Sequence, residues 1–339
     1  MQRLSGTASM PIIVKAEDRA RKPRIVGGGS GLQLSSVSHL QLDGLKFEGA
    51  TGNGLNIDDG GTGIGTTRHI KLKNLEIRNI PPGNRDAIKL SGIDDFEVTS
   101  CHIEKWGGSG IDMVGCHRGL IEGNRFSSGG DSGVQAKGGT SNVRILANRF
   151  ESAGQRSVNI GGSTGLQFFR PAVSAMPPNG RYEAKDIEVS GNVFLGSMSP
   201  IAFVGVDGAV VKRNTIYMPE RWAIRILQET REPGFVPSRK GVFERNLVAF
   251  RSNQWSSGGL NVGPGTAATT FTFRRNFWFC SDNPRLSKPN LPVPESDGSY
   301  GIDPLFSNAP SDLTVRKGSP AADFGAGQGR LNDPRKDTR

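Results

Sequence analysis

The chain has 339 residues, 47 of them glycine, with 7% aromatic and 22% charged residues. This composition, without a Gly-X-Y period, excludes collagen, a helical bundle and a disordered polyelectrolyte. A formal charge of +10 favours polyanionic partners. No apolar run reaches the roughly 18 residues of a membrane span, and no zinc, helix-turn-helix or RNA-binding signature is present, so no nucleic-acid partner is expected. Cys101, Cys116 and Cys280 are odd in number and unmatched in spacing, which argues against a disulfide framework.

In chain order, "SGTASMPIIVKAED" (5–18) reads as a first strand, and its N-terminal flank lacks the apolar core of a secretory signal. A phrase hxhxxNxF, with h apolar, then recurs, clearest as "VRILANRF" (143–150), "IEVSGNVF" (187–194) and "FTFRRNFW" (271–278). Its register position falls on Leu45, Leu75, Cys101, Asn124, Asn148, Asn192, Asn214, Asn246 and Asn276, spaced by 30, 26, 23, 24, 44, 22, 32 and 30 residues. That interval is a solenoid period. Stacked coils lie about 4.8 Å apart, so asparagine amides at one position can form a hydrogen-bonded ladder. Asparagine also tolerates the left-handed backbone of a sharp corner.

After each ladder position comes a Gly/Ser-rich corner and a second strand: GLNID (54–58), AIKLS (87–91), GIDMV (110–114), GVQAK (133–137), SVNIG (157–161), IAFVG (201–205), AIRIL (223–227) and LNVG (260–263). Alternation sends the apolar residues inward. The outward row then reads Asn56, Lys89, Asp112, Gln135, Asn159, Phe203, Arg225 and Asn261. Two insertions, 164–184 and 228–241, follow such strands and are expected as loops beside the polar face. Residues 301–339 are read as a C-terminal capping segment of the same domain, with the solenoid over 1–300. Together these features predict an all-β protein, a single-stranded right-handed parallel β-helix of about ten coils.

Two phrases carry a family resemblance. "GIDPLFSNAPSDLTVRKGSPAADFGA" (301–326) resembles the closing segment of secreted β-helix proteins of the pectate-lyase-like superfamily, and "GTASMPIIVKAEDRARKPRIVGG" (6–28) is similar to the opening coil of the chondroitinase B and alginate lyase family. The resemblance implies an extracellular or periplasmic carbohydrate-active protein. It also implies a catalytic lysine at a strand end, an arginine one coil later, and calcium ligands just upstream of the lysine. In "GVQAKGGTSNVRILANRF" (133–150) Lys137 falls at the lysine position, and Arg156 is the nearest arginine in the next coil. Calcium is the one cofactor implied, with Asp58, Asp86 and Asp131 as candidate ligands.

β-Elimination of a uronate needs a cation on the carboxylate, a base for the C5 proton and an acid for the leaving oxygen. Lys137 is the candidate base and Arg156 the carboxylate clamp. Lys89, Asp112, Gln135, Asn159, Arg225, Phe168 and Trp222 are candidate substrate-binding residues on an acidic polysaccharide. The bland alternatives are a Lys89–Asp112 surface ion pair and an Arg156–Asp131 pair. A glycoside hydrolase using paired aspartates is the second reading, although no two aspartates share a ladder position one or two coils apart. A non-catalytic glycan-binding or surface-structural β-helix is the third. A monomer is expected.

Overall fold

The computed structural model describes residues 4–18, 20–61 and 67–326. Each coil gives one strand to each of three parallel sheets. The first, ten-stranded, runs from Ile12–Lys15 to Thr272–Arg274; the second, eleven-stranded, from Arg24–Val26 to Ser299–Tyr300; the third, nine-stranded, from Leu32–Ser35 to Leu260–Val262. One antiparallel hairpin, Phe306–Asn308 with Asp312–Val315, lies outside them. Among the described residues no helix is long and apolar enough to cross a membrane.

The core follows from alternation repeated in register. Successive coils place the same inward position directly above the last, so identical side chains stack. Phe126, Phe150 and Phe194 form one such column, with rings parallel at 4.7 and 4.9 Å.

The asparagine column is continuous. Asn124 Nδ2 donates to Asn148 Oδ1 at 2.9 Å, and the same bond repeats through Asn192, Asn214, Asn246 and Asn276. Every Nδ2 also donates to a carbonyl of a preceding coil, as Asn148 does to Ile121 at 2.9 Å. The left-handed backbone, however, sits one residue earlier, at Ser100, Ala147, Arg213, Arg245 and Arg275, while the asparagines do not adopt it. Their function is therefore the ladder, and the corner is turned by their neighbours. At the C-terminal end Glu295 accepts from Asn276 Nδ2 at 2.7 Å, from Trp278 Nε1 at 2.9 Å and from the Tyr300 hydroxyl at 2.8 Å, closing the column.

In one strand the register differs from the expectation. Ile201 pairs with Val158 and Ile224, so Ile201 and Phe203 point inward and Ala202 takes the outward place. Ser199–Val204 is apolar at nearly every position, so period-2 reading had no polar residue to set its phase. Residues 301–326 lie along the outside of the second sheet, where Phe306 meets Tyr217 and Phe324 meets Phe277, and the rest of the expected 301–339 segment lies outside the described residues. Leu291, Val293 and Tyr300 also pack against the core.

Candidate functional site

The third sheet carries the candidate site because its outer row changes from small amides to charged groups in the middle coils. Asn56 pairs with Lys89, Lys89 with Asp112, Asp112 with Gln135, Gln135 with Asn159, Asn159 with Ala202, and Ala202 with Arg225. Each step is one coil, and Lys89 and Asp112 come into side-chain contact.

Asp112 is the centre of the first cluster. Its Oδ2 forms an ion pair with Lys89 Nζ and lies 3.5 Å from Lys137 Nζ, while its buried Oδ1 has no partner. Lys89 also lies 3.6 Å from Asp86. The two carboxylates thus converge on one ammonium from adjacent coils. Asp86 does so from the start of its strand, not from the shared ladder position, which is why spacing did not pair them. Burial first, and the Asp112 charge second, push the Asp86 carboxyl up to about 6, against the pull of Lys89. Burial works against the charged form of Lys89, but Asp112 and Asp86 outweigh it and raise that pKa.

The cations stand outermost. Side-chain exposure is 22% for Lys89 and 18% for Lys137, against 4% for Asp86 and 1% for Asp112. Lys137 donates to Gln135 Oε1 at 3.2 Å, and Ser109 contacts the same oxygen at 3.3 Å. Gln135 and Asn159 are themselves buried. They brace the charged groups above them: Asn159 Oδ1 accepts from Arg156 at 3.3 Å.

Arg156 begins the second cluster. It pairs with Glu229 at 2.7 Å and not with Asp131, because the 228–241 segment brings a carboxylate to the guanidinium. Arg225 donates to Asn261 at 3.0 Å, and burial and the charge of Arg156 lower its pKa. Trp222 is buried, with the guanidinium groups of Arg221 and Arg225 at 4.3 and 4.8 Å from its ring centre. Its ring face is thus occupied by arginine. Phe168 is 57% exposed on the other insertion.

The metal candidates do not assemble. Asp58 binds Gln33, Asn56 and the Gly60 N–H, Asp86 lies with Lys89, and Asp131 contacts Ser132. Among the described residues no three acidic, histidine or cysteine side chains form a group able to hold a metal ion. The donors beside Lys137 do not fit the calcium set implied by the resemblance, since the aspartates facing this cluster already hold ammonium groups.

Two glutamates escaped the sequence reading. Fully buried Glu183 accepts from Gly138 N at 2.8 Å, Thr164 N at 2.9 Å, Thr164 Oγ1 at 2.7 Å and Thr230 Oγ1. It ties both insertions to the turn after Lys137. The insertions also meet through Phe169 and Phe235, 5.3 Å apart, and the first reaches back to Asp59 through Arg170 Nε at 2.9 Å. Glu183 and Glu229 carry no motif spacing, because their partners lie up to 47 and 73 residues away.

A family model described as a right handed beta helix region matches residues 30–194. The chain is a right-handed parallel β-helix. The β-helix superposes on an alginate lyase from Paenibacillus sp. str. FPU-7 with TM-score 0.51 and 17% identity, covering 80% of this chain and 87% of that one. A rhamnogalacturonan lyase matches with TM-score 0.56 and 14% identity over 95% and 79%. A GH136 lacto-N-biosidase from Eubacterium ramulus matches with TM-score 0.53 and 14% identity over 88% and 58%. At these identities the β-helix shares their fold alone. No curated protein sequence matches it.

Proposed function

We propose that the protein is a polysaccharide lyase that cleaves a uronate-containing polysaccharide by β-elimination on the outer face of the third sheet. One observation carries the reading: in the central cluster of that face the Lys89 and Lys137 ammonium groups stand outward and the carboxylates of Asp86 and Asp112 are buried beneath them. A chain of acidic sugars would meet cations first.

In the proposed reaction Arg156 holds the uronate carboxylate through its planar fork, which stabilises the charge that develops when C5 loses its proton. Lys137 takes that proton on Nζ after giving its own to solvent. The C5–H electron pair becomes the C4–C5 double bond, and the C4–O glycosidic bond breaks. The Lys137 ammonium returns the proton to the leaving oxygen, so atoms and charge balance within one residue. Lys89 and Arg225 extend the cationic track, and Phe168 offers an exposed ring for stacking. Likeness of fold to an alginate lyase and a rhamnogalacturonan lyase supports the reading. Action of this kind also fits a secreted, monomeric protein.

The test is ultraviolet absorbance of the unsaturated product on alginate, pectate, chondroitin sulfate and dermatan sulfate, with calcium and with chelator. A rising signal that vanishes in Lys137→Ala supports the reading. A flat trace on every polymer sinks it.

A hydrolase reading is favoured by one observation, the Asp86–Asp112 pair, in which one carboxyl is held up to about 6 beside an ionisable neighbour. Acid and base roles need such a split. Their burial behind Lys89 weighs against it, because neither carboxylate is exposed on the outer face. New reducing ends without unsaturation, lost in Asp86→Asn, would support it. Saturable binding with neither product would mark a glycan-binding protein.

A further inference from the structure

We propose that Glu229 is an internal stand-in for a substrate carboxylate, and that Arg156 and Arg225 beneath it form an anion subsite which the polysaccharide enters by displacing it. This inference rests on the reading that the ligand is an acidic glycan.

The geometry is that of an occupied carboxylate site. Arg156 points one terminal nitrogen at Asn159 and the other at Glu229 Oε1, 2.7 Å away. Asn159 and Arg225 are separated in the outward row only by Ala202, whose methyl group puts no long side chain between them. Arg221 and Arg225 flank Trp222, not a carboxylate. Among the described residues Glu229 is the one carboxylate seen to form an ion pair with any of these three guanidinium groups, and it does so with Arg156. Burial first, and the Arg156 charge second, disfavour the charged form of Arg225, and Glu229 only partly compensates.

Glu229 is suited to leave. It lies on the 228–241 segment with its side chain 34% exposed, and its recorded contact with Arg156 is a single bond. A partly exposed ion pair of this kind contributes little. A sugar carboxylate can offer both oxygens to a guanidinium fork and gain a second bond. The side chain would also reject neutral glycans, since a ligand without an anion would have to break the ion pair and return nothing to Arg156.

The experiment measures binding by calorimetry in a Lys137→Ala background, which removes turnover from the readout. Probes are short oligomers of mannuronate, galacturonate and glucuronate, each with its carboxyl-reduced counterpart. Glu229→Gln is expected to tighten binding of an oligouronate about fivefold, the equivalent of one exposed ion pair, and to leave the reduced sugars unchanged. Arg225→Ala should abolish that gain. The proposal is overturned if Glu229→Gln binds equally or more weakly, if reduced sugars gain as much, or if no oligouronate binds either protein. Lyase chemistry is judged separately: tight, Glu229-sensitive binding by a protein that forms no unsaturated product would sink the lyase reading alone.

Discussion

The buried carboxylate of Glu183 holds the backbone N–H of Gly138 at 2.8 Å. Gly138 follows Lys137 directly, so a residue from the base of one insertion sets the direction in which the strand leaves the proposed base. The same carboxylate binds Thr164 and Thr230, so three segments meet on two oxygens. All four recorded partners donate to it.

Glu183→Gln should therefore be poorly tolerated despite its equal size. A glutamine amide turns a donor toward groups that are themselves donors, leaving one or two of them unpaired in the interior. About 2–4 kcal/mol of stability should be lost, and limited proteolysis should cut first within 164–184 or 228–241. Unchanged cleavage kinetics would show that the insertions hold without this carboxylate.

The ladder predicts a difference between its middle and its end. Asn148→Leu removes the acceptor of Asn124 N and Nδ2 and the donor to Ile121 O and Asn192 Oδ1. Urea denaturation should show a loss of about 3–5 kcal/mol. Asn124→Leu should cost less, because its Oδ1 accepts from Cys101 N alone, whereas that of Asn148 accepts from both N and Nδ2 of Asn124. Equal losses would argue against a cooperative column.

Stability should depend on pH through Asp86. Its carboxyl is held up to about 6, above an ordinary value of 3.8, so the folded state disfavours its charged form. The protein carries no penalty from this group below the ordinary value. Wild-type stability should then fall relative to Asp86→Asn as pH rises through about 4 to 6, and the gap should stay constant above that. Denaturant midpoints of the two proteins across this range measure it, and a gap that opens on the alkaline side would refute the assignment.

Gly161 and Gly162 separate folding from chemistry. At Gly161, φ is +111° and a Cβ would lie 1.7 Å from the Val204 carbonyl oxygen, so Gly161→Ala should unfold the coil. At Gly162 a Cβ would meet Gln135 Nε2 at 2.8 Å and Lys137 Cδ at 3.4 Å. Gly162→Ala should fold with a lowered Tm and lose most lyase activity through displacement of Lys137. Full activity in that variant would mean that Lys137 does not need its present position.

Much of the architecture was legible because a solenoid repeats one environment per coil. Ladder positions from Leu45 to Asn276 fall in register as their spacing implied, and Leu55, Ile88, Ile111, Val134, Val158, Ile224 and Leu260 share one inward column. Ala202 shows where that reading fails, since an apolar strand has no phase of its own. The Lys89–Asp112 pair was legible because both occupy one row in consecutive coils.

What the sequence determined by itself was therefore everything set by period: the β-helix, the asparagine column and the polar outer row. Tertiary structure decided what occupies that row. Asp86 meets Asp112 through a side chain leaning from the strand's start, while Glu183 and Glu229 arrive from insertions whose course no repeat encodes. Charges brought together in this way answer to distance and burial in space, and those depend on how two irregular loops fold back on the sheet, not on spacing along the chain.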